Sequence, residues 1–294
     1  MCDDRCHVPA EPRLTFLFVD GVGLSDDARS PLRTALLPSL SRLTDGFSAH
    51  PFDRPGLAYR VLDATLGIDG LPQSATGQTT LLTGVNAASA LGRHQGPHPG
   101  STLQALLGEQ SLQVWAARRG RRVFHANGYR ADYLARLRAA RRNMRSAFAF
   151  AAEAAGGSLL DLDDPRAHRP GFWTEPGEAG RSLAEASAQH HLTVFEYWAL
   201  DYTGHREVDA VPAQLEQLDA FVSGYLDANA DATLVLTSDH GNAEETWHTH
   251  HTRNPVPLIV AGAAAASVPR SMTSLVDVAG WIRQVLSPEA ASPA

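Results

Sequence analysis

Asp239 and His240 follow a short apolar, β-branched run at residues 232–236 and lead at once into Gly241 and Asn242. A carboxylate and an imidazole at the carboxyl end of a buried strand stand where open α/β sheets hold their ligands. Neither group belongs in a core unless it is paired or bound to an ion. The same construction occurs twice more. Residues 14–19, Leu-Thr-Phe-Leu-Phe-Val, run into Asp20-Gly21-Val22-Gly23, and the strand-like stretch 192–200 runs into Asp201, with His205 four residues on. Five of the thirteen histidines fall between His205 and His251, the last three in Trp247-His248-Thr249-His250-His251-Thr252-Arg253-Asn254-Pro255.

Three carboxylates at one edge of one sheet repel each other, and without compensation some would have to be protonated. Divalent cations remove that conflict. Asp20, Asp201 and Asp239, with His205, His240 and one later histidine, form an oxygen and nitrogen donor set without thiolates, large enough for two ions. Such a set suits Zn²⁺ or Mn²⁺ better than Ca²⁺, and Mg²⁺ stays open. Paired metals clamp the attacking and leaving oxygens of a phosphoryl group. A nucleophile for that chemistry is offered by Ser74. Pro72 and the small polar residues around it predict a turn into a helix, with Ser74 at or near the first turn. There its hydroxyl meets unsatisfied N–H groups and the positive end of the helix dipole. It serves as a helix cap or, activated by a metal, as a nucleophile. Arg93 and His94, in the Gly- and Pro-rich loop 91–100, and Asn242 are candidate phosphate contacts.

The elements that must position these groups follow from periodicity. Residues 32–43, 102–119, 211–226 and 274–286 carry helical spacing, and residues 121–126 and 255–261 read as strands, the second near a sheet edge because of its prolines. Residues 130–145 are dense in arginine, either a solvated helix face or a means of steering an anion. Residues 161–180, rich in Asp, Pro and Gly, read as a loop over the sheet that Phe172 and Trp173 pack down. The expected architecture is α/β: a mostly parallel sheet with helices on both faces and at most a small cap. Residues 1–13 are expected to form a disordered tail and 14–288 one α/β domain, with roughly 92–190 partly core and partly cap or loops. Residues 289–294 are expected to be loose.

Composition narrows the field. The chain has 294 residues, a formal charge of −7 and no lysine, so all 25 basic residues are arginines. That excludes Schiff-base chemistry and a lysine-bearing phosphate loop, and the negative charge argues against nucleic acid as partner. Cys2 and Cys6 lie in a polar N-terminal stretch and read as part of a frayed tail. No apolar run is long enough for a bilayer, and the N-terminus lacks a signal-peptide core, so a cytoplasmic location is expected.

In combination, Asp20-Gly21, Ser74-x-x-Gly77, Asp201-x-x-x-His205, Asp239-His240-Gly241-Asn242-Ala243-Glu244 and His251-Thr252-x-Asn254-Pro255-Val256-Pro257 resemble the alkaline phosphatase superfamily. The nearest branch is the one holding cofactor-independent phosphoglycerate mutase and phosphopentomutase. The motifs run in the family's order and cover the first and the last hundred residues. The resemblance implies two divalent ions, one held by Asp201, His205 and His251 and the other by Asp20, Ser74, Asp239 and His240, with Ser74 transiently phosphorylated. His248 and His250 are alternatives to His251, which is preferred because it directly precedes the Thr-x-Asn-Pro-Val-Pro run. The mutases carry a whole domain inserted after the serine segment, and residues 87–191 are too few for one. A metal-dependent hydrolase of small phosphorylated substrates is therefore expected, with diester, phosphonate and sulfate esters open. The alternatives are a phosphomutase or a non-catalytic metal-binding relative.

Overall fold

The computed structural model describes residues 11–229 and 232–287. Cys2, Cys6 and the stretch before Glu11 lie outside the described residues, as does the segment 289–294. The strands are β1 (Leu14–Val19), β2 (Phe52–Arg54), β3 (Leu57–Leu62), β4 (Val123–His125), β5 (Gly128–Tyr129), β6 (Leu160–Asp161), β7 (Leu192–Tyr197), β8 (Thr233–Thr237) and β9 (Val256–Ala261). Seven of them form one sheet in the order β2-β3-β9-β8-β1-β7-β4, and β5 and β6 pair separately. Five strands of the large sheet point the same way, while β2 and β9 oppose them.

Every residue of β1, β7, β8 and β9 is buried. That is why these strands read as continuous apolar runs and not as alternating ones. Alternate side chains of β1 serve two separate cores. Phe16 and Phe18 pack with Phe148, Leu81, Leu107 and Trp281 on one face, under the helices Ser74–Thr83, Ser101–Gln110, Ala147–Ala154 and Leu275–Leu286. Leu17 and Val19 pack with Leu40, Leu183, Leu215 and Phe221 on the other, under Pro38–Thr44, Pro176–Ser187 and Val211–Ala228. The architecture is thus a mixed, mostly parallel sheet with helices on both faces.

Local chemistry shortens several expected elements. The stretch 32–43 is two helices, Pro31–Thr34 and Pro38–Thr44, because Pro38 cannot continue a helix but starts one well. The stretch 102–119 breaks at Ser111, whose hydroxyl accepts from the backbone N–H of Val114 and caps the second piece, Leu112–Ala117. The strand β7 stops at Tyr197, and Asp201 lies in the first turn of the following helix, Ala199–Arg206. The expected edge position of residues 255–261 is corrected: β9 is interior, between β8 and β3. Pro257 is accommodated because pairing with β8 begins one residue later, at Leu258. The short hairpin β2–β3, which covers β9, left no clear periodic signal. Among the described residues no helix is long and apolar enough to cross a membrane.

Candidate metal centre

The strands β8, β1 and β7 are adjacent and parallel, so their carboxyl ends open on a single edge. Asp20 directly follows β1, Asp239 lies two residues past β8, and Asp201 sits one short turn beyond β7. The helix Ser74–Thr83 points its N-terminus at the same edge, with Ser74 as its first residue and Gln73 as the cap position. The approach is close. A Cβ on Gly77 would stand 2.8 Å from the Cβ of Asp239, and one on Gly21, at φ +77°, would stand 2.9 Å from Asp201 Oδ1. Both glycines let backbone come nearer to the acids than any side chain would allow.

His240 is the hub. Its Nε2 lies 3.1 Å from Ser74 Oγ, 3.4 Å from Asp20 Oδ1 and 3.6 Å from Asp239 Oδ2. Its ring stacks on that of His251 at 3.7 Å. The Nε2 atoms of His205 and His251 lie 3.3 and 3.6 Å from Asp201 Oδ1 and 3.0 Å from each other. The other ring nitrogens of these two are engaged by backbone: His205 Nδ1 with Thr249 O at 2.6 Å and His251 Nδ1 with Pro72 O at 2.7 Å. A carbonyl on Nδ1 selects the tautomer whose Nε2 is free to accept or to ligate, as metal-binding histidines require.

The electrostatics are those of an edge built for positive charge. Burial, and then the neighbouring acids, push Asp20 and Asp239 well above the ordinary carboxylate range. Burial also acts to raise Asp201, but the adjacent imidazoles of His205 and His251 outweigh it and hold that carboxyl low. Burial presses His240 down to about 3, while the neighbouring Asp201 carboxylate raises His205. Oδ1 of Asp20, Oδ1 of Asp201 and both carboxylate oxygens of Asp239 are shielded from solvent yet make no hydrogen bond among the described residues. Two sets of candidate ligand atoms lie within 4.8 Å of one another, Asp20 with Asp239 and His240, and Asp201 with His240 and His251. Unpaired buried carboxylate oxygens facing imidazole nitrogens fit divalent cations with oxygen and nitrogen preferences.

Glu244, the last residue of the motif that begins at Asp239, braces the centre from behind. Glu244 is fully buried and accepts from Gly23 N at 2.9 Å, Asn242 N at 2.8 Å, Thr252 Oγ1 at 2.5 Å and Asn254 Nδ2 at 3.0 Å. It ties together the loops that follow β1 and β8 and the one that precedes β9. Gln78 likewise donates to Asp20 Oδ2 at 3.3 Å from within the serine helix. Their signal in the sequence was proximity to the motifs, since Glu244 stands five residues after Asp239 and Gln78 four after Ser74.

A cavity of about 900 Å³ opens beside the centre, with Asp20, Ser74 and Asp201 in its floor. Arg93, His94 and Asn242 are not in its lining. His94 Nε2 is engaged by Thr65 O at 3.1 Å, and Asn242 is buried with its amide donating to His250 O. The loop 91–100 reaches the cavity through Pro97 and His98 instead. Arg130 and Arg136, from the arginine-dense segment, do line it. His248 pairs with Glu245 at 3.0 Å, so of the three late histidines it is His251 that the structure brings to Asp201.

The sheet and the helices on its two faces make an alkaline phosphatase-like fold. Residues 177–289 match the family model described as Metalloenzyme superfamily. Curated relatives are 2,3-bisphosphoglycerate-independent phosphoglycerate mutases. The one from Gloeobacter violaceus is 31% identical over 140 residues, 40% of this chain and 26% of that protein. The one from Serratia proteamaculans is 37% identical over 95 residues, 29% of this chain and 18% of that protein. The chain thus matches about a quarter or less of the length of these relatives. Among solved structures, a protein from Pyrococcus horikoshii superposes with TM-score 0.59 at 11% identity, covering 94% of this chain and 97% of that one. A phosphoglycerate mutase from Leishmania mexicana superposes with TM-score 0.53 at 13% identity, covering 97% of each. The resemblance read from the sequence holds: the fold is alkaline phosphatase-like, and the curated relatives are phosphoglycerate mutases.

Proposed function

We propose that this protein is a metal-dependent phosphoester hydrolase acting through a phosphoserine intermediate. The observation that carries the proposal is the placement of Ser74 Oγ, 3.1 Å from His240 Nε2, among buried carboxylate oxygens that lack hydrogen bonds. Asp201, His205 and His251 are assigned to one divalent ion, and Asp20, Ser74, Asp239 and His240 to the other, with Zn²⁺ or Mn²⁺ favoured and Mg²⁺ acceptable. When bound, such ions supply Lewis acidity and lower the pKa of hydroxyls they touch. Ser74 Oγ, presented at a helix N-terminus, attacks phosphorus in line, forming the seryl–phosphate bond as the ester P–O bond breaks toward the cavity. Water entering from the cavity then attacks the phosphoserine, returning the hydroxyl to Ser74 and releasing inorganic phosphate. The aspartates and histidines hold these positions, and the arginines along the cavity attract the dianionic substrate. The expected setting is the cytoplasm, with a small phosphorylated substrate as partner.

Phosphomutase is the second reading, favoured by the names of the curated relatives. Support for hydrolysis comes from what residues 87–191 are used for. Leu107, Leu112, Ala116, Ala147, Phe148 and Ala151 of that segment belong to the core beneath the sheet. What that segment adds to the cavity comes in short pieces: Pro97 and His98, Tyr129 to Arg136, and the loop Arg169–Phe172, with Ser146 and Leu162 between them. A transfer that returns phosphate to a second hydroxyl must hold its dephosphorylated intermediate away from water. The test is chelation, readdition of Mn²⁺, Zn²⁺ or Mg²⁺ singly, and measurement of phosphate released from aryl and alkyl phosphates. Metal-dependent release with phospho-Ser74 trapped by acid quench is the expected result. Isomerisation of a sugar phosphate without release would overturn it in favour of the mutase.

A further inference from the structure

Seven large hydrophobic side chains are exposed among the described residues. Leu36, Leu71, Met144 and Trp247 are scattered, but Phe172 (43% exposed), Trp198 (36%) and Tyr202 (41%) stand together in the wall of the active-site cavity. Their ring centroids form a near-equilateral triangle, with separations of 6.0 Å (Phe172–Trp198), 6.3 Å (Phe172–Tyr202) and 6.0 Å (Trp198–Tyr202). Single exposed apolar residues need no explanation, whereas a cluster in a concave site marks a binding surface.

The chain holds this triangle in place against its local preference. Phe172 sits at φ +54°, a left-handed conformation that strains the backbone of a bulky residue. It follows Gly171, whose own backbone is so close to Ala199 and Tyr197 that a Cβ there would lie 2.5 Å from Ala199 Cβ. The neighbouring Trp173, partly buried, stacks on Phe221 and Tyr197, at centroid distances of 4.6 and 5.2 Å. The loop is thus anchored by one aromatic and presents the other. Trp198 and Tyr202 flank Asp201 along the helix Ala199–Arg206 and its cap position, so the triangle is rigidly tied to the metal edge. Tyr129 and Tyr133, stacked at 5.8 Å, line the same cavity.

Aromatic surfaces of this kind take either a cation or a planar ring. The charges decide between them. Arg206 already lies over Tyr202, its Cζ 5.0 Å from the ring centroid, and Arg130, Arg136 and Arg169 line the cavity too. A cationic ligand would be repelled there, while a planar ring on an anionic ester would not. Resting on the hydrolase reading above, we infer that the site selects phosphate esters whose alcohol portion carries a planar aromatic or heteroaromatic ring, which packs on Phe172, Trp198 and Tyr202 while the phosphate sits at Ser74.

The test uses ester pairs matched in leaving group, so that only the ring differs: adenosine 5′-monophosphate against ribose 5-phosphate, and 2-phenylethyl phosphate against butyl phosphate. In the metal-loaded protein, kcat/KM is expected to favour the ring-bearing member of at least one pair by roughly tenfold, the size of one base–aromatic stacking contact. In Phe172→Ala, and separately in Tyr202→Leu, that ratio is expected to fall to within about threefold. Calorimetry on metal-loaded Ser74→Ala supplies a readout that needs no turnover, with the same preference expected in Kd. Equal kcat/KM and equal Kd within both pairs would overturn the inference, as would an unchanged ratio in both variants. Ring preference in Kd with no phosphate released from any ester would leave this inference standing and overturn the hydrolase reading.

Discussion

The floor and the wall of the cavity are built in opposite ways. The floor is the candidate metal edge, where Asp20, Asp239 and His240 are buried on short extensions of two adjacent parallel strands, β1 and β8. Its polar contacts are tight, and its second layer, from Glu244 to the carbonyls of Pro72 and Thr249, has little freedom. The wall is made by residues far apart in the chain, from Tyr129 to Arg136, Arg169 to Phe172 and Trp198 to Arg206, and much of it faces solvent. Chemistry that demands sub-ångström placement sits on strand ends, and selectivity sits on loops and helix starts that tolerate change.

That division is open to experiment. The largest effect is expected from Ser74→Ala, which should lower turnover by on the order of 10³-fold or more while leaving two metal ions bound, as counted by mass spectrometry. Turnover within a few-fold of the parent would place the nucleophile elsewhere.

Next is a pH effect on stability that bears on where floor and wall meet. Glu196 lines the cavity, is buried, and accepts from Ser146 Oγ at 2.8 Å. Burial lifts its carboxyl to about 7 from an ordinary 4.5. The folded form therefore holds the proton more tightly than the unfolded one. Its stabilising share is complete below pH 4.5 and is lost as pH rises to about 7, a change of about 3 kcal/mol. Glu196→Gln does not titrate, so urea melts should show the parent losing about 3 kcal/mol relative to the variant between pH 4 and 8. A constant difference across that range would refute the buried-acid description.

Glu244→Gln comes third. It keeps the shape of a side chain that joins three loops but halves its acceptor capacity. Metal affinity should fall roughly 10–100-fold, as is usual for groups behind the ligands. Competition with a chelator measures it. Unchanged affinity would mean that the floor holds its ligands without that brace.

The smallest effect belongs to the wall's charge. Arg169 has no acidic partner among the described residues, so Arg169→Gln should raise KM by roughly two- to tenfold at low salt, with the difference shrinking above about 0.5 M salt as screening takes over. Salt-independent behaviour would remove steering from its role.

Residue types at the floor were legible in the primary structure. A metal edge needs acids and imidazoles directly after buried strands, and such strands announce themselves as unbroken apolar runs. Asp20, Asp201, His205, Asp239 and His240 could be named for that reason, Ser74 for its place at a helix start and His251 through the family resemblance, and the seven side chains lie together. Asp201 was misplaced by a few residues, because Trp198-Ala199-Leu200 is as apolar as the strand before it although it starts a helix. Arg93 and His94 were drawn into the site by loop composition, which is silent on direction. Only the tertiary structure decided that β8, β1 and β7 are neighbours, that backbone carbonyls orient His205 and His251, and that Phe172, Trp198 and Tyr202 share one wall. Those outcomes depend on strand order and on contacts between distant segments, and neither leaves a periodic trace along the chain.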